Sequence, residues 1–307
     1  MATTRRVRGA GLALSVTEHG ERGRPTVVLI HGFPDTGAVW NLVAERLTAD
    51  LHVVTYDVRG AGASDAPPTK WGYRLPFLVE DLLAVADDTS PDAPVHLVGH
   101  DWGSVQGWEA VLQRHAAIRF ASFTSISGLP LDHAALWARR HRSIRPATLA
   151  PALRQALRSL YIAYFHLPVV PELLVRPEPV QRLWAGVLHR LEHAPIDAEW
   201  PAETFGEDFA HGLGLYRANV RGRLRRPHAG RTEVPVQILV PSHDRYLTAA
   251  LLEGLEEWST SLWRRILDGG HWAIRSDPGS VAQYVREIVE YVEEGIEAEG
   301  FRRARVG

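Results

Sequence analysis

The chain has no cysteine among its 307 residues. This excludes disulfide bonds, thiolate metal sites and a cysteine nucleophile. Long apolar runs are missing too, since no stretch approaches the ~20 apolar residues of a membrane-spanning helix. The first residues carry arginines without the apolar segment of a signal peptide. We therefore expect a cytoplasmic protein that has no membrane partner.

The sequence also lacks a large excess of charge of one sign. Its formal net charge is −2, which argues against nucleic acid as a partner. The charge is uneven, however, because residues 131–232 contain 15 arginines against nine acidic residues. We interpret the basic clusters at 139–145 and 221–226 as solvated helix and loop surface, with an anion-binding surface as the alternative.

The first 130 residues alternate short apolar runs with longer stretches of helical spacing. Runs such as TVVLIHG (26–32) and VHLVGHD (95–101) are typical of buried strands, whereas FLVEDLLAVADD (77–88) is typical of a helix. Apolar strands that alternate with helices favour a parallel sheet covered on both faces. We therefore predict an α/β fold with a mostly parallel central sheet flanked by helices.

The pattern changes between Leu131 and Thr232. Apolar residues recur there at helical spacing without a convincing strand, and the strand pattern returns at VPVQILVPSHD (234–244). The prediction is a core formed by residues 1–130 and 233–300, with an inserted helical cap at 131–232. The remaining residues, 301–307, are predicted to be a polar tail without a packed ending.

The stretch HLVGHDWGSVQGWE (96–109) has the pattern of a strand, a sharp turn and a helix. Gly99 and Gly103 remove side chains at a crowded bend, and apolar residues then follow at helical spacing. This is the setting of a nucleophile elbow, in which small residues flank an exposed reactive side chain. The central residue is Asp101, where serine is common, so the expected nucleophile is a carboxylate.

Reactive side chains also follow other predicted strands, at HGFPD (31–35), Asp244 and His271. In open α/β sheets, active residues collect at the carboxyl ends of the strands. The chain order nucleophile, acid, histidine, together with YDVRGAGASD (56–65) and the GGHW around His271, resembles the α/β-hydrolase fold. The resemblance covers nearly the whole chain. With Asp101 at the elbow, it is to the branch that contains epoxide hydrolases and haloalkane dehalogenases.

A carboxylate at the elbow predicts displacement at an sp³ carbon, which leaves an ester whose carbonyl belongs to the enzyme. Water would then attack that carbonyl. His271 is the expected base for this water, and Asp244 is expected to hold the histidine tautomer, although it would also suit a helix cap. The expected oxyanion hole consists of the backbone N–H groups of Phe33 and Trp102.

The loop at 31–34 is expected to shape the site. His31, Gly32 and Pro34 are assigned this role, with direct participation of His31 in the chemistry as the alternative. His189 and His193 are four residues apart but lack the glutamate of a zinc-binding H-E-x-x-H motif. We interpret these two histidines as helix surface and expect neither a metal nor a cofactor.

The leaving group separates the two enzyme classes of this branch. An opening epoxide forms a strongly basic alkoxide, and a protonated tyrosine can donate to it. Resemblance to epoxide hydrolases implies two such tyrosines in the cap, Tyr161 and Tyr216, with Tyr164 as an alternative to the first. A haloalkane dehalogenase would use N–H donors such as the indole of Trp102. Phe33, however, stands where the second halide donor often falls.

The expected function is therefore that of an epoxide hydrolase, which converts an epoxide to a vicinal diol through an aspartyl ester. The expected partners are a small apolar epoxide and water. The alternatives are a haloalkane dehalogenase and a non-catalytic ligand-binding domain. The chain also resembles the N-terminal domain of actinobacterial proteins that continue into a short-chain dehydrogenase/reductase, although it contains no G-x-x-x-G-x-G loop. This leaves open a fused or separate reductase domain, and a homodimer.

Overall fold

A computed structural model of the protein describes residues 2–141 and 146–306. Nine strands in this part of the chain form one sheet, in the order β1-β2-β4-β3-β5-β6-β7-β8-β9. The strands are β1 (Thr3–Arg8), β2 (Ala13–His19), β3 (Thr26–Ile30), β4 (His52–Tyr56), β5 (Val95–His100), β6 (Phe120–Ile126), β7 (Val236–Pro241), β8 (Leu262–Leu267) and β9 (Arg305–Val306).

Six neighbouring strands of the sheet run parallel, as predicted. In spatial order they are β4, β3, β5, β6, β7 and β8. Every residue of β3, β4 and β5 is buried, which explains why their sequences are nearly continuous apolar runs. β3 and β5 are paired so that Ile30 lies opposite Gly99. The carboxyl ends of these two strands, and the loops that follow them, therefore lie side by side.

Helices cover both faces of the sheet. Alternate strand residues point to opposite faces, so Val28 and Ile30 belong to one apolar core while Val27 and Leu29 belong to another. The first core includes α2 (Leu75–Thr89) and α3 (Trp102–Val111), and the second includes α1 (Asn41–Leu47) and α11 (Pro278–Glu294). The predicted fold class is confirmed.

Between β6 and β7 the chain is helical in the described residues. The helices are α4 (Leu131–Arg140), α5 (Pro146–Arg158), α6 (Leu160–Phe165), α7 (Val170–Val175), α8 (Glu178–Glu192) and α9 (Phe205–Arg225). The division into core and cap stays a prediction, and we keep the word cap for residues 131–232. The basic cluster at 139–145 is described only in part, because residues 142–145 lie outside the described residues.

The N-terminal hairpin of β1 and β2 was not predicted from the sequence. These strands pair antiparallel from Thr3 with Glu18 to Arg8 with Ala13. Most of β1 is exposed or half-buried, so its sequence TTRRVR carries no apolar run. Its place at the edge of the sheet explains why a strand of this composition forms there.

The predicted polar tail without a packed ending is wrong. Phe301, in α12 (Glu299–Arg303), is fully buried, and its ring stacks on Trp263 with 4.7 Å between centroids. Strand β9 then pairs antiparallel with β8. Burial of one aromatic ring offsets the ordering of a segment that is otherwise charged.

The segment LLEGLEEW (251–258) does not form one continuous helix. The chain forms two short 3₁₀ turns there, Ala249–Leu252 and Leu255–Trp258, and Gly254 lies between them with φ of +83°. This left-handed conformation interrupts a helix.

The remaining helices of the second half include α10 (Ala273–Ser276). Within residues 2–141 and 146–306, no helix is both long enough and apolar enough to cross a bilayer.

Candidate active site

The sharp turn between β5 and α3 places Asp101 in a strained backbone conformation. Its φ of 52° and ψ of −119° are unusual for a residue with a side chain. The flanking glycines permit the turn, because a Cβ on Gly103 would lie 2.1 Å from the carbonyl oxygen of Ile30, and a Cβ on Gly99 would lie 2.4 Å from that of Gly103. The elbow geometry predicted for this stretch is present.

The loop after β3 contacts the Asp101 carboxylate directly. The backbone N–H of Phe33 donates to Oδ1 of Asp101 over 2.8 Å. A Cβ on Gly32 would lie 2.5 Å from that same oxygen, so the close approach requires glycine. Trp102 begins α3 directly after Asp101, which leaves its N–H among those of the first helical turn that have no partner within the helix. The role of these two N–H groups as an oxyanion hole stays a prediction.

His31 is buried and bonded in a way that suits a structural role. Its Nε2 accepts the backbone N–H of Val58 over 2.8 Å, so Nδ1 carries the proton and donates to the carbonyl of Gly32, also over 2.8 Å. Burial lowers the pKa of His31, which favours this neutral form. The peptide bond between Phe33 and Pro34 is cis. The geometry thus supports His31 as a residue that shapes the loop.

His271 lies between the two predicted acids. Its Nε2 is 3.5 Å from Oδ2 of Asp101, and its Nδ1 is 3.3 Å from Oδ2 of Asp244. Oδ1 of Asp244 accepts the backbone N–H groups of Tyr246 and Leu247 over 2.7 and 3.0 Å. The two roles considered for Asp244, histidine partner and cap of the next turn, are therefore filled by different oxygens of one carboxylate.

The charges around His271 favour its protonated form. Burial alone would lower the pKa of this imidazole, but the carboxylates of Asp244 and Asp101 raise it to about 10. Burial would likewise raise the pKa of Asp244, yet the positive imidazolium and the hydrogen bonds to its carboxylate lower it overall. The two carboxyl groups on either side of this imidazole therefore favour its positive form.

A cavity of about 330 Å³ connects Asp101 and His271 with the two predicted tyrosines. Its wall is mainly apolar and aromatic. The lining residues are Phe33, Pro34, Asp101, Tyr161, Tyr164, Phe165, Pro171, Leu174, Val175, Val180, Trp184, Phe209, Tyr216, Tyr246, His271 and Trp272. Four of the five predicted catalytic residues therefore line the same cavity. The fifth, Asp244, lies behind His271.

Tyr161 and Tyr216 lie next to each other, with 6.1 Å between ring centroids. Burial raises the pKa of both hydroxyls above the ordinary range, and the charge of Asp101 adds to the effect. Both tyrosines therefore stay protonated and can donate a hydrogen bond. Trp102 packs on Tyr216 with 4.9 Å between centroids and lines a separate small space beside His31.

Several site residues were not predicted. The ring of Tyr246 lies 4.5 Å from that of His271, and the buried Asp35 accepts the indole N–H groups of Trp200 and Trp272 over 2.7 and 3.0 Å. Burial raises the pKa of Asp35 to about 6. The only feature of the sequence that pointed to Tyr246 was its position two residues after the predicted acid, Asp244. Asp35 is the last residue of the HGFPD motif.

The two histidines considered as metal ligands lie near the end of α8. His189 is on that helix, and His193 follows it in a left-handed conformation with φ of 51°. Among residues 2–141 and 146–306, no cluster of three or more His, Asp or Glu side chains is arranged to hold a metal ion.

A family model for the alpha/beta hydrolase fold matches residues 25–278, which include the elbow, the acid and the histidine. The chain belongs to the α/β-hydrolase fold family. Within this family, the protein named Probable oxidoreductase EphD from Mycobacterium tuberculosis is 35% identical over 97% of this chain. The chain spans 51% of the length of that relative.

Other relatives of this α/β hydrolase match over nearly their whole length. Epoxide hydrolase A from Mycobacterium tuberculosis is 28% identical, over 95% of this chain and 98% of its own length. In the crystal structure of Epoxide Hydrolase A from Mycobacterium thermoresistibile, the protein is 26% identical in sequence to this chain, and the two structures match with a TM-score of 0.72. The match covers 94% of this chain and 98% of that one. A Bacillus megaterium epoxide hydrolase structure, at 20% identity and a TM-score of 0.76 over 93% and 100% of the two chains, shares the fold.

Proposed function

We propose that this chain hydrolyses epoxides to vicinal diols through a covalent ester on Asp101. The observation that carries the proposal is the cavity in which a carboxylate nucleophile, a histidine and two protonated tyrosines meet. The match to epoxide hydrolases over 95% of the chain supports the same activity.

In the first half-reaction, the proposed nucleophilic atom is Oδ2 of Asp101. Oδ1 accepts the N–H of Phe33, whereas Oδ2 lies 3.5 Å from Nε2 of His271, and Asp101 lines the cavity. Oδ2 forms a bond to one epoxide carbon as the bond from that carbon to the ring oxygen breaks. The ring oxygen takes a proton from Tyr161 or Tyr216, so the step yields an ester, a neutral hydroxyl group and a tyrosinate. The imidazolium of His271, which no longer faces a charged Asp101, then gives up its proton and the tyrosinate regains one, so His271 enters the second half-reaction neutral.

In the second half-reaction, water attacks the carbonyl carbon of that ester. Nε2 of His271 accepts a proton from this water, and Asp244 stabilises the imidazolium that forms. Negative charge develops on Oδ1 of Asp101, where the N–H of Phe33 already points, with the N–H of Trp102 as the proposed second donor. The ester bond to the substrate then breaks, and the departing diol oxygen takes the proton of the hydroxyl group that water added, which re-forms the Asp101 carboxylate. His271 keeps the proton it took from water, so the resting state is restored.

The cavity favours small, apolar epoxides. Its volume of about 330 Å³ is near the lower end for ligand pockets, which run from roughly 300 to 1,000 Å³. Its polar groups are concentrated at the catalytic residues, so binding depends on apolar contact with the rest of the substrate.

A homodimer and an attached or separate reductase domain remain predictions.

The position of Trp102 favours epoxides over haloalkanes. A dehalogenase of this branch would aim the indole N–H at the departing halide, but Trp102 packs against Tyr216 and lines a different space from the cavity. The tyrosines, in contrast, face the cavity directly. They supply the proton that an alkoxide needs and a halide does not.

Turnover of a panel of aryl and alkyl epoxides beside bromoalkanes tests the proposal. We expect diol formation from epoxides and its loss in Asp101→Asn, whereas Asp87→Asn, at an exposed aspartate that pairs with Arg119, serves as the matched control. Turnover of bromoalkanes without epoxides would instead indicate a dehalogenase. Substrate binding without turnover of either class would indicate a ligand-binding domain.

A further inference from the structure

The last residue of α8, Glu192, is a buried acid that reaches from the cap to the candidate catalytic histidine. Its side chain is only 4% exposed, and its Oε2 accepts the backbone N–H of His271 over 2.6 Å. Its other oxygen is 3.5 Å from Nε of Arg245. The two partners of this hydrogen bond are 79 positions apart in the chain.

The location of Glu192 is unfavourable for its own helix. A negative side chain at the C-terminal end of a helix opposes the helix dipole, and a buried carboxylate loses hydration. The next residue, His193, adopts a left-handed conformation that favours glycine or asparagine. These local costs are offset by contacts outside the helix, and the shortest of those contacts is to His271.

The loop before His271 is shaped to receive this carboxylate. A Cβ on Gly270 would lie 1.9 Å from Oε2 and 2.9 Å from Cδ of Glu192, and the third nearest atom is Cα of the same residue. An alanine at position 270 would therefore collide with Glu192 before any other group. The glycine and the glutamate fit each other.

The backbone of His271 is held on both sides. Glu192 binds its N–H, and Nε2 of His100 lies 2.9 Å from its carbonyl oxygen, to which it donates. The imidazole of His271 lies between two carboxylates, at 3.5 Å from Asp101 and 3.3 Å from Asp244. A small rotation of the backbone would therefore change both contacts at once.

We propose that Glu192 is a positioning residue, whose carboxylate fixes the backbone of His271 so that the imidazole can activate the hydrolytic water. The inference rests on the proposed function, because it assigns the effect to the second half-reaction. Ester formation uses Asp101 and the tyrosines, so a displaced His271 should affect it less than ester hydrolysis. Glu192 thereby couples the cap to the catalytic histidine.

Single-turnover kinetics with styrene oxide, followed by intact-mass spectrometry of the ester, test this role. We expect Glu192→Ala to slow ester decay by about tenfold or more while formation stays within about threefold, since misplacement of a reacting group is costly. Glu192→Gln keeps an oxygen that can accept the N–H of His271 and should restore most of the decay rate. Equal slowing of both steps, or of neither, would overturn the proposal.

The substitution Gly270→Ala tests the contact between Glu192 and the loop before His271 from the other side. In the wild-type background it should slow ester decay, because the new methyl group displaces Glu192. In the Glu192→Ala background it should have little further effect, since the colliding carboxylate is gone. Gly186→Ala, in α8 with open space around it, is the matched control and should change neither step. Additive effects of the two substitutions would contradict the proposed contact.

Amide hydrogen exchange at His271 separates this proposal from the proposed function. The amide should be protected in the wild type and in Glu192→Gln and should exchange faster in Glu192→Ala, whether or not any epoxide reacts. If the wild type forms no ester but this pattern holds, the contact stands and the assigned reaction fails. If exchange at His271 is the same in all three proteins, the role of Glu192 is refuted.

Discussion

Removing the negative charge of Asp101 should lower the pKa of His271. In the resting protein, burial lowers this pKa, but the carboxylates of Asp244 and Asp101 more than compensate and raise it to about 10. Ester formation on Asp101 neutralises one of the two carboxylates. Asp101→Asn reproduces that loss of charge in a stable protein, so it mimics the electrostatics of the intermediate.

The separation of the two groups sets the size of the effect. Nε2 of His271 is 3.5 Å from Oδ2 of Asp101. At an effective dielectric constant of about 20, unit charges at that distance interact by roughly 5 kcal/mol. Because both charges are spread over several atoms, we take about half of this value, which corresponds to about two pKa units. The pKa of His271 would then lie well below its resting value in the variant, closer to the range in which a base is useful.

A lower pKa of His271 in the ester suits the different tasks of this residue in the free enzyme and in the ester. In the free enzyme the imidazolium pairs with the nucleophile, and in the ester the neutral imidazole must take a proton from water. A lower pKa in the ester therefore makes the base available when it is needed. Titration of the His271 imidazole by ¹⁵N NMR in the wild type and in Asp101→Asn measures the change. An equal or higher pKa in Asp101→Asn would refute the electrostatic reasoning.

Two further predictions concern the cap tyrosines and the elbow. Each of Tyr161→Phe and Tyr216→Phe should slow ester formation from an epoxide by up to roughly a hundredfold, and the double variant should lose much more, because each hydroxyl stabilises charge that develops on ring opening. Pre-steady-state kinetics check this, and near-wild-type epoxide turnover by the double variant would contradict it. Gly103→Ala should destabilise the fold by about 3 kcal/mol, since its Cβ would meet the backbone of Ile30 at 2.1 Å. Urea unfolding measures the loss, with Gly222→Ala, in open space on α9, as a control that should not destabilise.

The central sheet could be predicted because its strands are buried on both faces. Each reads as an apolar run, as in Thr26–Ile30 and Val95–His100, and the alternation with helices fixes the parallel arrangement. The hairpin of β1 and β2 gave no such signal because its residues are partly exposed. The burial of Phe301 gave none either, since a single aromatic residue in a charged tail has no periodicity.

The residues that face the cavity could be predicted where a local motif constrains them. Asp101 stands in a turn that demands glycines on both sides, and that demand is visible in the sequence. The contact of Glu192 with His271 and that of Asp35 with Trp200 join residues 79 and 165 positions apart. No local pattern encodes such contacts, because they depend on how the cap settles on the sheet.

A single turnover of an epoxide in ¹⁸O-labelled water tests the central claim, that Asp101 attacks the substrate, most directly. With enzyme in excess over substrate, the oxygen added to the diol comes from Oδ2 of Asp101, and the solvent oxygen enters the carboxylate. If Asp101 attacks the substrate, the diol carries no label after the first turnover and ¹⁸O appears in the peptide that contains Asp101. Label in the diol at the first turnover, with none in that peptide, would mean direct attack by water and would contradict the account.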